Sequence, residues 1–206
     1  MQNLPMFPLG SVFFPGSIMP LRIFESRYLQ LFSELAQKGS FFGTCLIEKG
    51  HEVGGFDSRF SYGTLCKVTD LKELGTNQLA VQCLGVKRIL VKKWLPDNPY
   101  PVARIEELAD SENKNFELKR EIIEELERCY VLLVQMGAIP SASMDIQALE
   151  TVDLFTACAL APLGQLYKYK LLSAHSAKDR STLLLRQITS ERETLAAMSR
   201  LQQEEI

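Results

Sequence analysis

The first 21 residues of this 206-residue chain carry no charged side chain, yet four prolines, at positions 5, 8, 15 and 20, interrupt them. Proline lacks an amide proton and its ring clashes with the preceding turn, so no helix runs through this stretch. An uncharged segment broken in this way is not a membrane span. It has to form short extended pieces and turns, buried against the rest of the domain. Pro15-Gly16 supplies one turn, with proline presetting φ and glycine tolerating positive φ. The Phe24-Glu25-Ser26-Arg27-Tyr28 run that follows reads as the opening of a helix.

Hydrophobic periodicity then changes character near residue 110. Before it, runs rich in Val, Ile, Leu, Thr and aromatic residues predict strands over 42–48, 63–71, 79–95 and 100–107. Gly54-Gly55, Leu74-Gly75-Thr76-Asn77 and Pro96-Asp97-Asn98-Pro99 separate them. One helix interrupts the series. Tyr28, Leu31, Phe32, Leu35 and Ala36 fall at helical spacing, and Gly39 stops it. After residue 110 the spacing turns helical, with Leu118, Ile122, Leu126, Cys129 and Leu133 as a stripe inside 112–137. Further helices are expected over 146–160, over 163–172, and from Ser181 to the C-terminus with Leu184, Ile188, Leu195 and Met198 facing inward. The expectation is an α+β chain, with a β-rich subdomain over 1–110 and a helical subdomain over 111–206.

Charge excludes some classes of function. The net charge is −2 and the isoelectric point is near 5.8, so no global field attracts nucleic acid or an acidic membrane. Lys87, Arg88, Lys92, Lys93 and Arg104 form the one basic cluster. Strand alternation sends Lys87 and Lys93 to one side and Arg88 and Lys92 to the other, which disfavours a single phosphate-binding stripe. Five cysteines, at 45, 66, 83, 129 and 158, have no C-x-x-C spacing and sit among apolar neighbours, as buried reduced thiols do. His51 and His175 show no metal-ligand spacing. No basic n-region opens the chain, and no apolar run is long enough to span a bilayer. A cytoplasmic protein without cofactor is expected.

The order of landmarks identifies a family. Leu4-Pro5, Phe7-Pro8-Leu9, Pro15-Gly16, Pro20-Leu21, Ile23-Phe24-Glu25 and Arg27-Tyr28 are followed by Phe42-Gly43, Gly54, Gly63-Thr64, Asp70, Gly85, Arg88 and Pro99-Tyr100. This resembles the LON substrate-binding domain, the N-terminal module of the ATP-dependent Lon proteases, which also occurs as a stand-alone protein. The segment 163–185, with Tyr169-Lys170-Leu171-Leu172 and Arg180, matches more loosely. The resemblance implies a PUA-like β pseudo-barrel with one helix, followed by a C-terminal helical bundle. The sequence contains no G-x-x-x-x-G-K-[ST] loop for nucleotide phosphates and no recognisable serine–lysine protease domain, so no catalytic residue is expected. Any peptidase kinship rests on homology alone.

Polypeptide is therefore the expected partner, as exposed apolar or unfolded segments. Adjacent residues on an extended chain point opposite ways, so one of Phe13 and Phe14 is a candidate exposed contact. Val53 and Phe56, in the glycine-bearing 51–56 loop, are further apolar candidates. Arg22, Glu25 and Arg27 are the polar ones. A structural role competes for these: Glu25 suits the positive end of a helix dipole, and Arg27 suits a carboxylate beneath the barrel. Two other readings stay open, an adaptor for a specific folded partner presented by the helical half, and RNA binding through the PUA-like fold.

Overall fold

The computed structural model describes residues 2–39, 41–50, 58–110, 116–140 and 151–204. It is α+β, and the chain divides into two compact units, Met1–Asp110 and Ser111–Ile206. The first unit contains β1 (Gln2–Leu9), β2 (Ile18–Ile23), α1 (Ser26–Lys38), β3 (Phe41–Lys49), β4 (Ser58–Glu73), β5 (Leu79–Trp94) and β6 (Val102–Glu107).

The strand order is β2-β5-β4-β3-β1-β6, and β5 also pairs with β6. That last pairing closes β1, β3, β4, β5 and β6 into a pseudo-barrel and leaves β2 outside it, attached to the first half of β5. The 16-residue length of β5 makes this possible. Its residues 79–84 pair with β2 and its residues 89–94 with β6.

The proline-rich start forms two extended pieces joined through a turn at Pro15-Gly16, and the first, β1, runs unbroken through Pro5 and Pro8. That strand changes partner halfway. Gln2–Pro5 pair antiparallel with β6, and Met6–Leu9 pair parallel with β3. Each half is thus paired on one side only, the position in a sheet where a residue without an amide proton is tolerated.

Two cores lie on opposite faces of this sheet. Tyr28, Leu31, Phe32 and Leu35 of α1 pack on Ile23, Phe42, Cys66, Val81 and Cys83, with Phe7 beside them. The Phe7, Tyr28, Phe32 and Phe42 rings meet edge to face at centroid distances of 4.5–5.7 Å. Such pairs add about 0.5–1.5 kcal/mol beyond area burial. Ala36, expected on the buried stripe, is exposed because the stripe ends with Leu35. The second core fills the barrel with Leu4, Met6, Cys45, Leu65, Ile89, Val91, Ala103 and Ile105.

The second unit contains α2 (Lys119–Gln135), α3 (Leu154–Leu160), α4 (Gln165–Ser173) and α5 (Ala177–Glu204). The first of these begins later than its stripe predicts, since Leu118 takes a left-handed φ of 62°. Ile122, Leu126, Cys129, Leu184, Ile188 and Leu195 are buried, whereas Met198 is half exposed and leaves the expected stripe. Buried Glu125 joins α2 to α5 by accepting from Arg192 Nε at 2.6 Å, and Arg128 Nη1 donates to it at 2.6 Å. Arg180, fully buried, donates to the Leu171 and Ala174 carbonyls at the end of α4 and stacks on Phe155.

Candidate functional site

Neither aromatic expected to be exposed is exposed. Phe13 and Phe14 retain 7% and 1% of their surface. The alternation argument fails here because both lie in irregular backbone between β1 and β2, where successive side chains need not oppose each other. Phe13 enters the core under α1, and its carbonyl accepts from the Thr64 hydroxyl. The Phe14 carbonyl crosses so close to Gly85 that a Cβ there would lie 2.4 Å from it.

Glu25 holds the N-cap position of α1 without a side-chain cap bond. Its carboxylate accepts from Arg27 Nε at 3.2 Å, and the Arg27 guanidinium lies 4.4 Å over the Tyr28 ring. Arg27 thus engages a carboxylate two residues away in the chain. Arg22 is exposed at the end of β2 and donates to Gln78 Oε1 at 2.6 Å. Val53 and Phe56 lie outside the described residues.

A different surface emerges from the sheet register. Ile18 of β2 pairs with Leu84 of β5, Leu84 with Lys67 of β4, and Lys67 with Phe41 of β3. These four residues form one row across four strands. With strands about 4.8 Å apart, the row is roughly 14 Å long. Ile18 is 65% and Phe41 44% exposed, large values for side chains of this size. A second row follows with Pro20, Gln82 and Asp70, and a third with Arg22, Ala80 and Lys72.

The intervening residues Met19, Leu21, Cys83, Val81 and Val68 pack into the core under α1. The rows therefore occupy the face opposite that helix. Gly43 and Leu65 are the next pair on this face, and they already lie within the barrel core. The exposed rows are the continuation of the barrel's inner wall beyond its rim.

The free side of β2 bounds this face. Gly85 N–H donates to the Ser17 carbonyl at 3.0 Å. The two-residue repeat of an antiparallel ladder then turns the backbone of Ile18, Pro20 and Arg22 toward the open edge. Pro20 offers no donor there, which blunts strand addition. Charge on the face is mainly positive. Lys72 pairs with Asp70 at 3.0 Å, Arg22 meets the neutral amide oxygen of Gln78, and among the described residues no carboxylate pairs with Lys67.

The basic cluster of β5 differs. Lys87 and Lys92 pair with Glu107 and Glu106 at 3.0 and 2.9 Å. Arg88 is 4% exposed and bound to Asp110 at 2.7 Å. Lys92 is exposed on the same side of β5 as Arg88, and a register shift between Val91 and Lys93 sets Lys93 opposite Arg104, off the side of Lys87. Three of the five cations of this cluster are thus matched by neighbouring carboxylates.

The thiols are chemically quiet. All five cysteines are buried. Burial pushes Cys83 and Cys158 up to about 12 and Cys129 up to about 11. Desolvation, reinforced by the adjacent Cys83, raises Cys66 well above the ordinary thiol range. Among the described residues no cluster of His, Cys, Asp and Glu is arranged to hold a metal ion, and no helix is long and apolar enough to cross a membrane.

Sequence and fold comparisons agree on kinship. The family described as the ATP-dependent protease La (LON) substrate-binding domain matches over residues 3–190. Lon protease 2 of Myxococcus xanthus is 25% identical over 97% of this chain, and Lon protease of Anaeromyxobacter dehalogenans is 25% identical over 96%. The chain spans about a quarter of the length of these relatives, 25% and 24% respectively. Among solved structures, a Lon N-terminal domain protein from Xanthomonas campestris is 26% identical, with a TM-score of 0.68 over 90% of this chain and 98% of that one. The N-terminal domain of a Mycobacterium avium complex Lon protease, 14% identical, shares the fold with a TM-score of 0.62 over 93% of this chain and 98% of its own.

Proposed function

This chain belongs to the LON substrate-binding domain family, and from that premise we propose that it is a non-catalytic module that binds exposed apolar or unfolded polypeptide segments. The matched domain is the substrate-binding one, not the catalytic one, and the hydrolytic activity of the full-length relatives is not carried over. The observation that supports client binding is the row Ile18, Leu84, Lys67 and Phe41, in which the exposed apolar side chains of Ile18 and Phe41 lie on one face with half-buried Leu84 and the cation Lys67.

Binding at such a strip is weak. Full burial of one Ile or Phe side chain contributes only about 1.5–3 kcal/mol, and each 1.4 kcal/mol is tenfold in affinity. Dissociation constants near micromolar or above follow for a single segment, and a tethered or oligomeric protease would supply the remainder by avidity. Titration of a casein-like unfolded chain against a folded control of similar size tests this reading. Preferential binding of the unfolded chain is expected, and equal or absent binding to both contradicts it.

An adaptor for a folded partner is the second reading. It draws on Leu160, Leu166 and Tyr167, which are 36%, 62% and 45% exposed around the turn between α3 and α4. Serine substitutions at Leu166 and Tyr167 that abolish recovery of a folded partner, while sparing the binding of unfolded chains, favour it.

A further inference from the structure

We infer that the face opposite α1 selects extended apolar segments that carry carboxylates, and discriminates against segments that carry lysine or arginine. This rests on the client-binding reading above and adds a charge rule to it. Among the described residues the three rows present three cations, Arg22, Lys67 and Lys72, against one carboxylate, Asp70, which Lys72 already neutralises. Lys67 stands inside the apolar row itself, between Leu84 and Phe41.

An apolar segment lying along the row from Ile18 to Phe41 covers the stem of Lys67 and leaves its ammonium facing the segment's own flanks. A carboxylate there gains a partner, whereas a second cation is repelled at the same distance. Arg22, one strand edge away and held by Gln78, offers a second donor to an acidic residue farther along.

The client lies across the strands and does not extend the sheet. Pro20 leaves a gap in the donors of the β2 edge, so a seventh strand would lose a ladder bond at its centre. Recognition therefore falls to side chains, and side-chain charge is able to select. RNA is disfavoured on this face, since two cations without described carboxylate partners and no stack of exposed rings make a poor single-strand platform.

The test uses the full chain and three fluorescent peptides of equal length and apolar content, flanked by glutamate, by serine or by lysine. Anisotropy titrations at 50 mM and 500 mM salt give the affinities. The glutamate peptide should bind roughly three- to tenfold more tightly than the lysine peptide at low salt, the size expected of one or two partly exposed ion pairs. The preference should shrink at high salt and reverse in Lys67→Glu, an exposed substitution checked by an unchanged melting curve.

Equal affinity for all three peptides, or a preference that Lys67→Glu does not alter, overturns the charge rule. If such equal affinities also fall on substitution of Ile18 and Phe41, the client-binding reading stands without it. Undetectable binding of every peptide removes both. Tighter binding of a single-stranded RNA of the same length than of the glutamate peptide, lost in Lys67→Glu, assigns the face to nucleic acid and overturns the inference.

Discussion

Replacing Gly63 by alanine should cost far more than replacing Gly43, although both lie mid-strand in the same barrel. A Cβ on Gly63 would fall 2.0 Å from the Thr44 carbonyl oxygen on the paired strand. Ordinary contact begins at 3.4 Å, so that oxygen would have to retreat by 1.4 Å, the difference of the two distances. It has little freedom to do so. Thr44 is buried and paired on both sides, with Thr64 of β4 and Phe7 of β1. Overpacking of about 1–3 kcal/mol, plus about 1 kcal/mol for each strained ladder bond, gives a loss of roughly 3–5 kcal/mol.

At Gly43 the neighbours are Met6 Sδ at 2.5 Å, Ile89 Cδ1 at 2.8 Å and Leu4 Cδ2 at 3.0 Å, all ends of flexible side chains. They yield by less than 1 Å, the largest shortfall from 3.4 Å being 0.9 Å. Alanine recovers roughly 0.5–1 kcal/mol of strand preference over glycine, so the net loss should be about 0–2 kcal/mol. Urea unfolding of the full chain, read by the fluorescence of Trp94, the single tryptophan and a member of β5, reports on the β-rich unit. A Gly63→Ala loss within 1 kcal/mol of the Gly43→Ala loss would refute the reasoning, since the backbone obstacle would then carry no special weight. The consequence reaches the site, because the same β3–β4 register sets Phe41 opposite Lys67.

Other outcomes are expected in the helical unit and among the thiols. In double-mutant cycles, the coupling of Glu125 with Arg192 should exceed its coupling with Arg128, at about 1–2 against under 1 kcal/mol, because the Arg192 side chain is 28% exposed and that of Arg128 59%. Equal couplings in thermal melts contradict that ranking. Arg180→Lys should cost at least about 2 kcal/mol, since an ammonium cannot both stack on Phe155 and serve the Leu171 and Ala174 carbonyls in one plane. A melting temperature within 1–2 °C of the parent is the opposing result. The raised thiols favour the protonated form in the fold. Their contribution is present below the ordinary thiol value of 9.0 and is lost as pH rises toward about 12, so stability should fall across that window. The fall should be shallower in Cys83→Ala, and an identical slope argues that this thiol does not contribute.

Much of the fold was legible because it is local. The stripe of α1 and its end at Gly39, the extent of β5, and the change to helical spacing after residue 110 all follow from periodicity over a dozen residues. The continuous β1 was not legible. Its prolines point to extended pieces, but that Pro5 and Pro8 share one unbroken strand depends on the change of partner between Pro5 and Met6, a fact of topology. The buried state of Phe13 and Phe14 was hidden for a related reason, since alternation applies only to regular strands. The exposed face is the least local feature of all. Ile18, Phe41, Lys67 and Leu84 sit in four separate segments, and only the register brings them into one row. The nearest sequence signals were Phe41 directly before the buried Phe42, and the alternation of Ile18, Pro20 and Arg22 with Met19, Leu21 and Ile23.

The affinity of an Ile18→Ser/Phe41→Ser double variant for a casein-like unfolded chain tests the central claim most directly. Ile18 has 65% and Phe41 44% of its surface still open to burial. Scaled by those fractions, the usual 1.5–3 kcal/mol per side chain gives roughly 1.5–3 kcal/mol for the pair, or about 10- to 100-fold in Kd. A loss of that size with an unchanged melting curve is the predicted result. An affinity within twofold of the parent chain would place client binding elsewhere on the molecule and contradict the assignment of this face.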